Sequence, residues 1–109
     1  MAKSKIETYI GFCIKSRKIA LGSGAISVLK GGVYLIILDG TAAKNSKRLA
    51  LKFKNRFSCP LILCKSGFDE IVNKPFCKIA AICDKNLAQA IKDCEESNFE
   101  LYVEEGVDL

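Results

Sequence analysis

The run Val33-Tyr34-Leu35-Ile36-Ile37-Leu38 constrains the fold more than any other part of the chain. It has no polar face, and a strand without one has to be covered on both sides. Such a strand belongs inside a sheet with helices above and below. Flanking patterns supply those helices. Ile6, Tyr9, Ile10, Cys13 and Ile14 repeat at helical spacing over residues 5–16, behind a capping box at Ser4-Lys5-Ile6-Glu7. Residues 44–57 carry the apolar stripe Leu49, Ala50, Phe53 and Phe57, with Cys59-Pro60 as the stop. Asp84 caps a last helix bearing Leu87, Ala90, Ile91 and Cys94.

Shorter segments fill the intervals. Strands are expected at 19–21, 61–64 and 79–83, and short helices at 23–29 and around Phe68, Ile71 and Val72. The capping signature at 66–69 opens the second short helix and Lys74-Pro75 breaks it. The order α-β-α-β-α-β-α-β-α predicts an α/β fold, a three-layer α/β/α sandwich on a four-stranded mixed sheet with some parallel pairing. Residues 1–98 read as one domain, and residues 99–109 as an acidic tail or an added edge strand at 99–103.

The charge is segregated. All 17 Lys and Arg precede residue 93, whereas Asp93, Glu95, Glu96, Glu100, Glu104, Glu105 and Asp108 crowd the end. A basic body implies a polyanionic partner, with the acidic end competing for the same face. Lys3 and Lys5 are followed by an apolar run that Glu7 and Lys15 interrupt, unlike a signal peptide, and 33–38 is too short to span a bilayer. A cytoplasmic protein without a membrane partner is expected.

Several chemistries have no support. The chain has no His, and Cys13, Cys59, Cys64, Cys77, Cys83 and Cys94 form no C-x-x-C pair. That removes the usual zinc arrangements and every His-based triad, so no metal or cofactor is expected. Free, buried thiols are the expected state. Gly22-Ser23-Gly24 opens like a dinucleotide loop, but Ser27 occupies the third glycine position. No pair of acids and bases is placed for proton transfer, and catalysis is not expected.

Binding has more to stand on. Leu21-Gly22-Ser23-Gly24-Ala25 turns from a strand into a helix, where backbone N–H groups face outward and suit phosphate. Lys15-Arg17-Lys18, residues 44–48 and residues 74–78 add charge near strand ends. The candidate contacts are Gly22, Ser23 and Gly24 through the backbone, and Lys18, Lys30, Asn45, Lys47 and Arg48 for phosphates.

Ile10-Gly11-Phe12 to Lys18, Gly22, the strand at 33–38, Asn45-Ser46-Lys47-Arg48 and Lys78-Ile79-Ala80-Ala81-Ile82-Cys83-Asp84-Lys85-Asn86-Leu87-Ala88 together resemble the L7Ae/L30e-type ribosomal protein family, in particular its small bacterial members. The resemblance covers about residues 5–94. It implies an L30e-like sandwich and non-catalytic binding of structured RNA, typically a kink-turn or ribosomal RNA, within a ribosome or other ribonucleoprotein. It also implies a second wall to the site at Val72 to Phe76, as the corresponding family loop forms, with Lys74 supplying charge and Pro75 rigidity. The chain departs from the family at the recognition turn. Gly24 and Ala25 stand at its polar positions and Val28 at its Lys position, with Lys30 as the nearest cation, and Asp39-Gly40 replaces the usual acidic pair. Phosphate contacts with little base reading are therefore expected. The alternative is a protein-interaction module on the same scaffold.

Overall fold

The computed structural model describes residues 4–103. Of the acidic end, Glu104, Glu105 and Asp108 lie outside the described residues. Helices and strands alternate as α1 (Lys5–Lys15), β1 (Ile19–Leu21), α2 (Ser23–Ser27), β2 (Leu35–Asp39), α3 (Lys44–Phe57), β3 (Leu61–Cys64), α4 (Phe68–Ile71), β4 (Ile79–Ile82), α5 (Lys85–Asp93) and β5 (Phe99–Leu101).

The sheet has five strands in the order β1-β4-β2-β3-β5, which corrects the expected four. The added strand is β5, paired antiparallel to β3 with Cys64 opposite Phe99 and Ile62 opposite Leu101. Residues 99–101 are thus an edge strand rather than a tail. The parallel pair is β2 with β3, joined by the crossover helix α3, whereas β4 runs antiparallel to both β1 and β2.

Alternation along the strands splits the core between two faces. Leu35, Ile37, Ile62, Ala80 and Ile82 pack with Ile6, Ile10 and Cys13 of α1, Phe68 of α4 and Ile91 of α5. Ile36, Leu38, Leu61, Ile79 and Ala81 pack with Ile26 of α2 and with Ala50 and Phe53 of α3. The three layers follow directly from this period of two. Every residue of β2 is buried, as its continuous apolar run requires.

Local chemistry fixes the helix ends. Ser4 accepts the Glu7 amide at the start of α1, while the Lys5 and Ile6 amides are taken by Glu96 at 2.9 and 3.1 Å. Glu96 also contacts the Ser4 hydroxyl, so the chain after α5 completes the cap of α1. Asp84 accepts the Leu87 amide at 2.9 Å and starts α5 as expected. The signature at 66–69 does not act as a cap, because Gly67 takes the N-cap position of α4. Schellman closures end α1, α3 and α4, with Arg17, Ser58 and Asn73 at positive φ where glycine is usual.

The six thiols are unbridged, with Cys13, Cys59, Cys64 and Cys77 buried. Burial pushes Cys13, Cys59 and Cys64 up to about 11, which keeps them protonated and unreactive at neutral pH. Among the described residues no helix is long and apolar enough to cross a membrane.

Candidate nucleic-acid interface

Strands β1, β2 and β3 finish, and β4 begins, at one end of the sheet, here the glycine end. Gly22 leaves β1 with φ of 90°, which a side chain would strain. Its own N–H is spent on the carbonyl of Ile79 at 2.9 Å. Gly22 therefore shapes the turn and does not act as a free donor, which corrects that part of the expectation. The first intrahelical acceptor of α2 is the Gly22 carbonyl, reached by Ile26, so the Ser23 and Gly24 amides precede it and face out of the helix start.

The opposing wall is the loop from α4 to β4. Lys74-Pro75-Phe76-Cys77 forms a turn closed by the Cys77 amide on the Lys74 carbonyl at 3.2 Å. Proline at its second position and a positive φ of 63° at Phe76 match a type II turn, where the third residue is normally glycine. Phe76 is 89% exposed, so a large apolar ring stands in solvent on a backbone conformation that costs about 1–2 kcal/mol. Lys74 reaches across to the Leu21 carbonyl at 3.5 Å. Between the walls lies a groove of about 520 Å³ lined by Gly22, Ser23, Gly24, Ser46, Lys74, Pro75, Phe76 and Lys78 among others, with no acidic side chain among its described lining.

Helix α3 starts beside this groove. Its N-cap is Ala43, with no side-chain cap bond and no acid in the first turn. Lys44, Lys47 and Arg48 crowd the end of a helix that carries partial positive charge, the reverse of the arrangement the helix dipole favours. A bound anion would relieve that conflict. Ser46 lines the groove and Asn45 and Lys47 flank it on the helix, whereas Arg48, about 200° round from Ser46, lies on the outer face.

Asp39 holds this end together from beneath. Its carboxylate is fully buried and accepts the Thr41 amide at 2.7 Å, the Thr41 hydroxyl at 2.5 Å and the Phe68 amide at 3.2 Å. Lys78 bonds the Thr41 hydroxyl at 3.1 Å and stands 3.9 Å from Asp39. Burial alone would push this carboxyl up. The bonds from Thr41 and Phe68 and the Lys78 charge outweigh it and hold the group below the ordinary carboxylate range.

The groove thus gathers Ser23, Gly24, Lys74 and Pro75 of the expected contacts around the Gly22 turn, with Asn45 and Lys47 alongside. Four others fall elsewhere, Arg48 on the outer face of α3 among them. Lys18 is at the opposite end of β1, where its carbonyl accepts the Cys83 amide at 2.7 Å. Lys30 follows a turn that Arg56, near the C-terminal end of α3, binds at the Ser27 and Leu29 carbonyls. Val72 is 4% exposed and belongs to the core, so the second wall begins after it. Phe76 closes the expected second wall, and Ser46 and Lys78 fall within the basic segments expected near strand ends, though neither was singled out as a contact.

The acids of residues 93–100 lie near the opposite edge of the sheet. A larger hollow of about 740 Å³, between Ser4, Lys5 and Glu7 and residues 93–97, is bordered by Asp93, Glu95 and Glu96 and would repel phosphate. Edge strands β1 and β5 are four strand spacings apart, about 19 Å, or roughly two Debye lengths at physiological salt. Glu96 is committed to the cap of α1. The described acids therefore do not cover the groove. Among the described residues no cluster of His, Cys, Asp or Glu could hold a metal ion.

No protein-family model matches the chain, and no curated protein matches it. Among solved structures, a protein of unknown function from Bacillus halodurans C superposes with a TM-score of 0.67 at 16% identity, covering 83% of this chain and 95% of that one. At that identity the likeness speaks to the fold.

Proposed function

We propose that this chain is a non-catalytic, cytoplasmic RNA-binding protein with an L30e-like scaffold, which holds structured RNA at the glycine end of its sheet as part of a ribosome or another ribonucleoprotein. The observation that carries the reading is a groove with no acidic side chain in its described lining, walled by a glycine turn and a Lys-Pro-Phe turn, beside a helix start crowded with cations. Lys47 and Lys74 meet phosphates, the Ser23 and Gly24 amides donate to phosphate or base edges, and Phe76 offers an apolar face to an unstacked base. With Gly24, Ala25 and Val28 at the turn, few side chains read base edges, and selectivity for a kink-turn is low.

The test is a titration of kink-turn RNA and a plain duplex of equal length at several salt concentrations. Binding to both, weakening steeply with salt, is expected. A kink-turn preference that survives high salt overturns the non-selective reading, and no binding to either RNA at low salt overturns the function. One observation favours the protein-docking alternative. Phe12 and Ile14 of α1 are exposed, away from the groove. Their substitution by Ser leaves RNA affinity unchanged under the present proposal.

A further inference from the structure

The opposite end of the sheet, here the far end, carries its own concentration of positive charge. The Schellman turn after α1 places Arg17 and Lys18 there, both exposed. Lys30 and Arg56 meet there through the bonds from Arg56 to the Ser27 and Leu29 carbonyls. Lys85 opens α5 directly after β4 ends. The acid among them, Asp84, has its carboxylate engaged by the Leu87 amide. Between β2, β3 and α5 lies a hollow of about 440 Å³, where Tyr34 sits with Lys85, Gln89 and Lys92. Tyr34 is 41% exposed although it immediately precedes the most buried strand of the sheet.

We infer that this far end is a second RNA-backbone surface, so that the protein joins two segments of one folded RNA. This inference rests on the RNA reading of the groove. The two surfaces are separated by the length of β2, about 17 Å, which exceeds a Debye length, so each acts on its own stretch of phosphate. One straight duplex crossing the glycine end at right angles to β2 does not also lie across the far end; a bent or branched RNA does. At the far end Lys18 and Lys85 contact phosphates, and Tyr34 presents a ring on which an unpaired base stacks. Of the acids in residues 93–100, Asp93 accepts from Gln89 at 2.9 Å and Glu95, Glu96 and Glu100 share a neighbouring hollow with Lys92, so they border the far end on its Lys92 side, more than two helical turns from Lys85.

Stoichiometry separates the possibilities. The probe is an RNA hairpin too short to reach both ends, titrated at low salt with the mass of the complex read by analytical ultracentrifugation. The unmutated protein is expected to take two hairpins. Lys18→Glu with Lys85→Glu should leave one, and so should Lys47→Glu with Lys74→Glu. Saturation at a single hairpin, unaffected by the far-end pair but lost with the groove pair, overturns the inference and leaves the groove reading standing. Loss of all binding with the far-end pair alone overturns the groove reading instead. Should either pair unfold, lysine acylation of the unmutated protein decides. RNA must protect both Lys74 and Lys18 or Lys85, and protection confined to Lys74 overturns the second surface.

Discussion

The starts of α1 and α3 face the same physical problem and answer it differently. At α1 the orphan amides are met by Ser4 and Glu96, and Glu7 stands in the first turn. At α3 the N-cap is Ala43, the first turn holds no acid, and Lys44, Lys47 and Arg48 add positive charge to a positive helix end. One helix start is completed inside the molecule. The other is left electrostatically incomplete beside a groove, an arrangement that costs stability and that a bound anion would relieve. Charge segregation thus meets two helix starts in opposite ways: Glu96, from the acidic end of the chain, finishes α1, and under the proposed function the cations of α3 await phosphate.

The largest expected effect concerns Asp39, the acid buried at the end of β2 against the start of α4. Asp39→Ala strands two backbone amides and the Lys78 charge, and should cost about 2–4 kcal/mol in chemical denaturation. Because its folded pKa lies below the unfolded value, its contribution is present above the unfolded pKa of about 3.9 and is lost as pH falls through the lower folded value. Stability measured between pH 5 and pH 2 should fall less in Asp39→Ala than in the unmutated chain. An equal fall would separate Asp39 from acid unfolding.

Next comes the completed helix. Glu96→Ala removes the acceptor of the Lys5 and Ile6 amides and should cost about 1–3 kcal/mol with RNA affinity unchanged. A stable variant would break the contrast between the two helix starts. Lys47→Glu makes the opposite trade. Placing an acid in the second turn of α3 should leave stability unchanged or raised by up to about 1 kcal/mol, while RNA affinity at low salt drops roughly tenfold. The smallest effect is expected at the strained turn. Phe76→Gly relieves the positive φ and should raise stability by up to about 1 kcal/mol, yet speed RNA dissociation. Faster dissociation with no gain in stability would mean the turn is unstrained.

What the sequence made legible follows from the strength of each local signal. The run at 33–38, the apolar stripe of α3 and the caps at Ser4 and Asp84 each have one physical interpretation. Strand β5 does not: of its three residues Phe99 alone is buried, and Glu100 and Leu101 are exposed at the edge. Lys18 and Lys30 lie away from the groove, because nearness to Gly22 in sequence says nothing about which end of a strand a residue occupies. Three residues of β1 suffice to carry Lys18 to the other end. The spent N–H of Gly22 depends on β4, contributed from residue 79, and no local pattern announces it. Phe76 falls within the expected second wall, yet its exposed, positive-φ placement was not legible, because an aromatic residue there contradicts every propensity rule.

The central claim is that phosphate is held at the groove by Lys47 and Lys74. The salt dependence of RNA binding tests it most directly, with fluorescence anisotropy of one labelled structured RNA on the unmutated chain and on Lys47→Glu with Lys74→Glu. The account predicts a steep linear fall of log affinity with log salt for the unmutated chain, and for the variant weaker binding with a slope shallower by about two, near 0.9 for each lost contact. Superimposable titrations from the two proteins would contradict it.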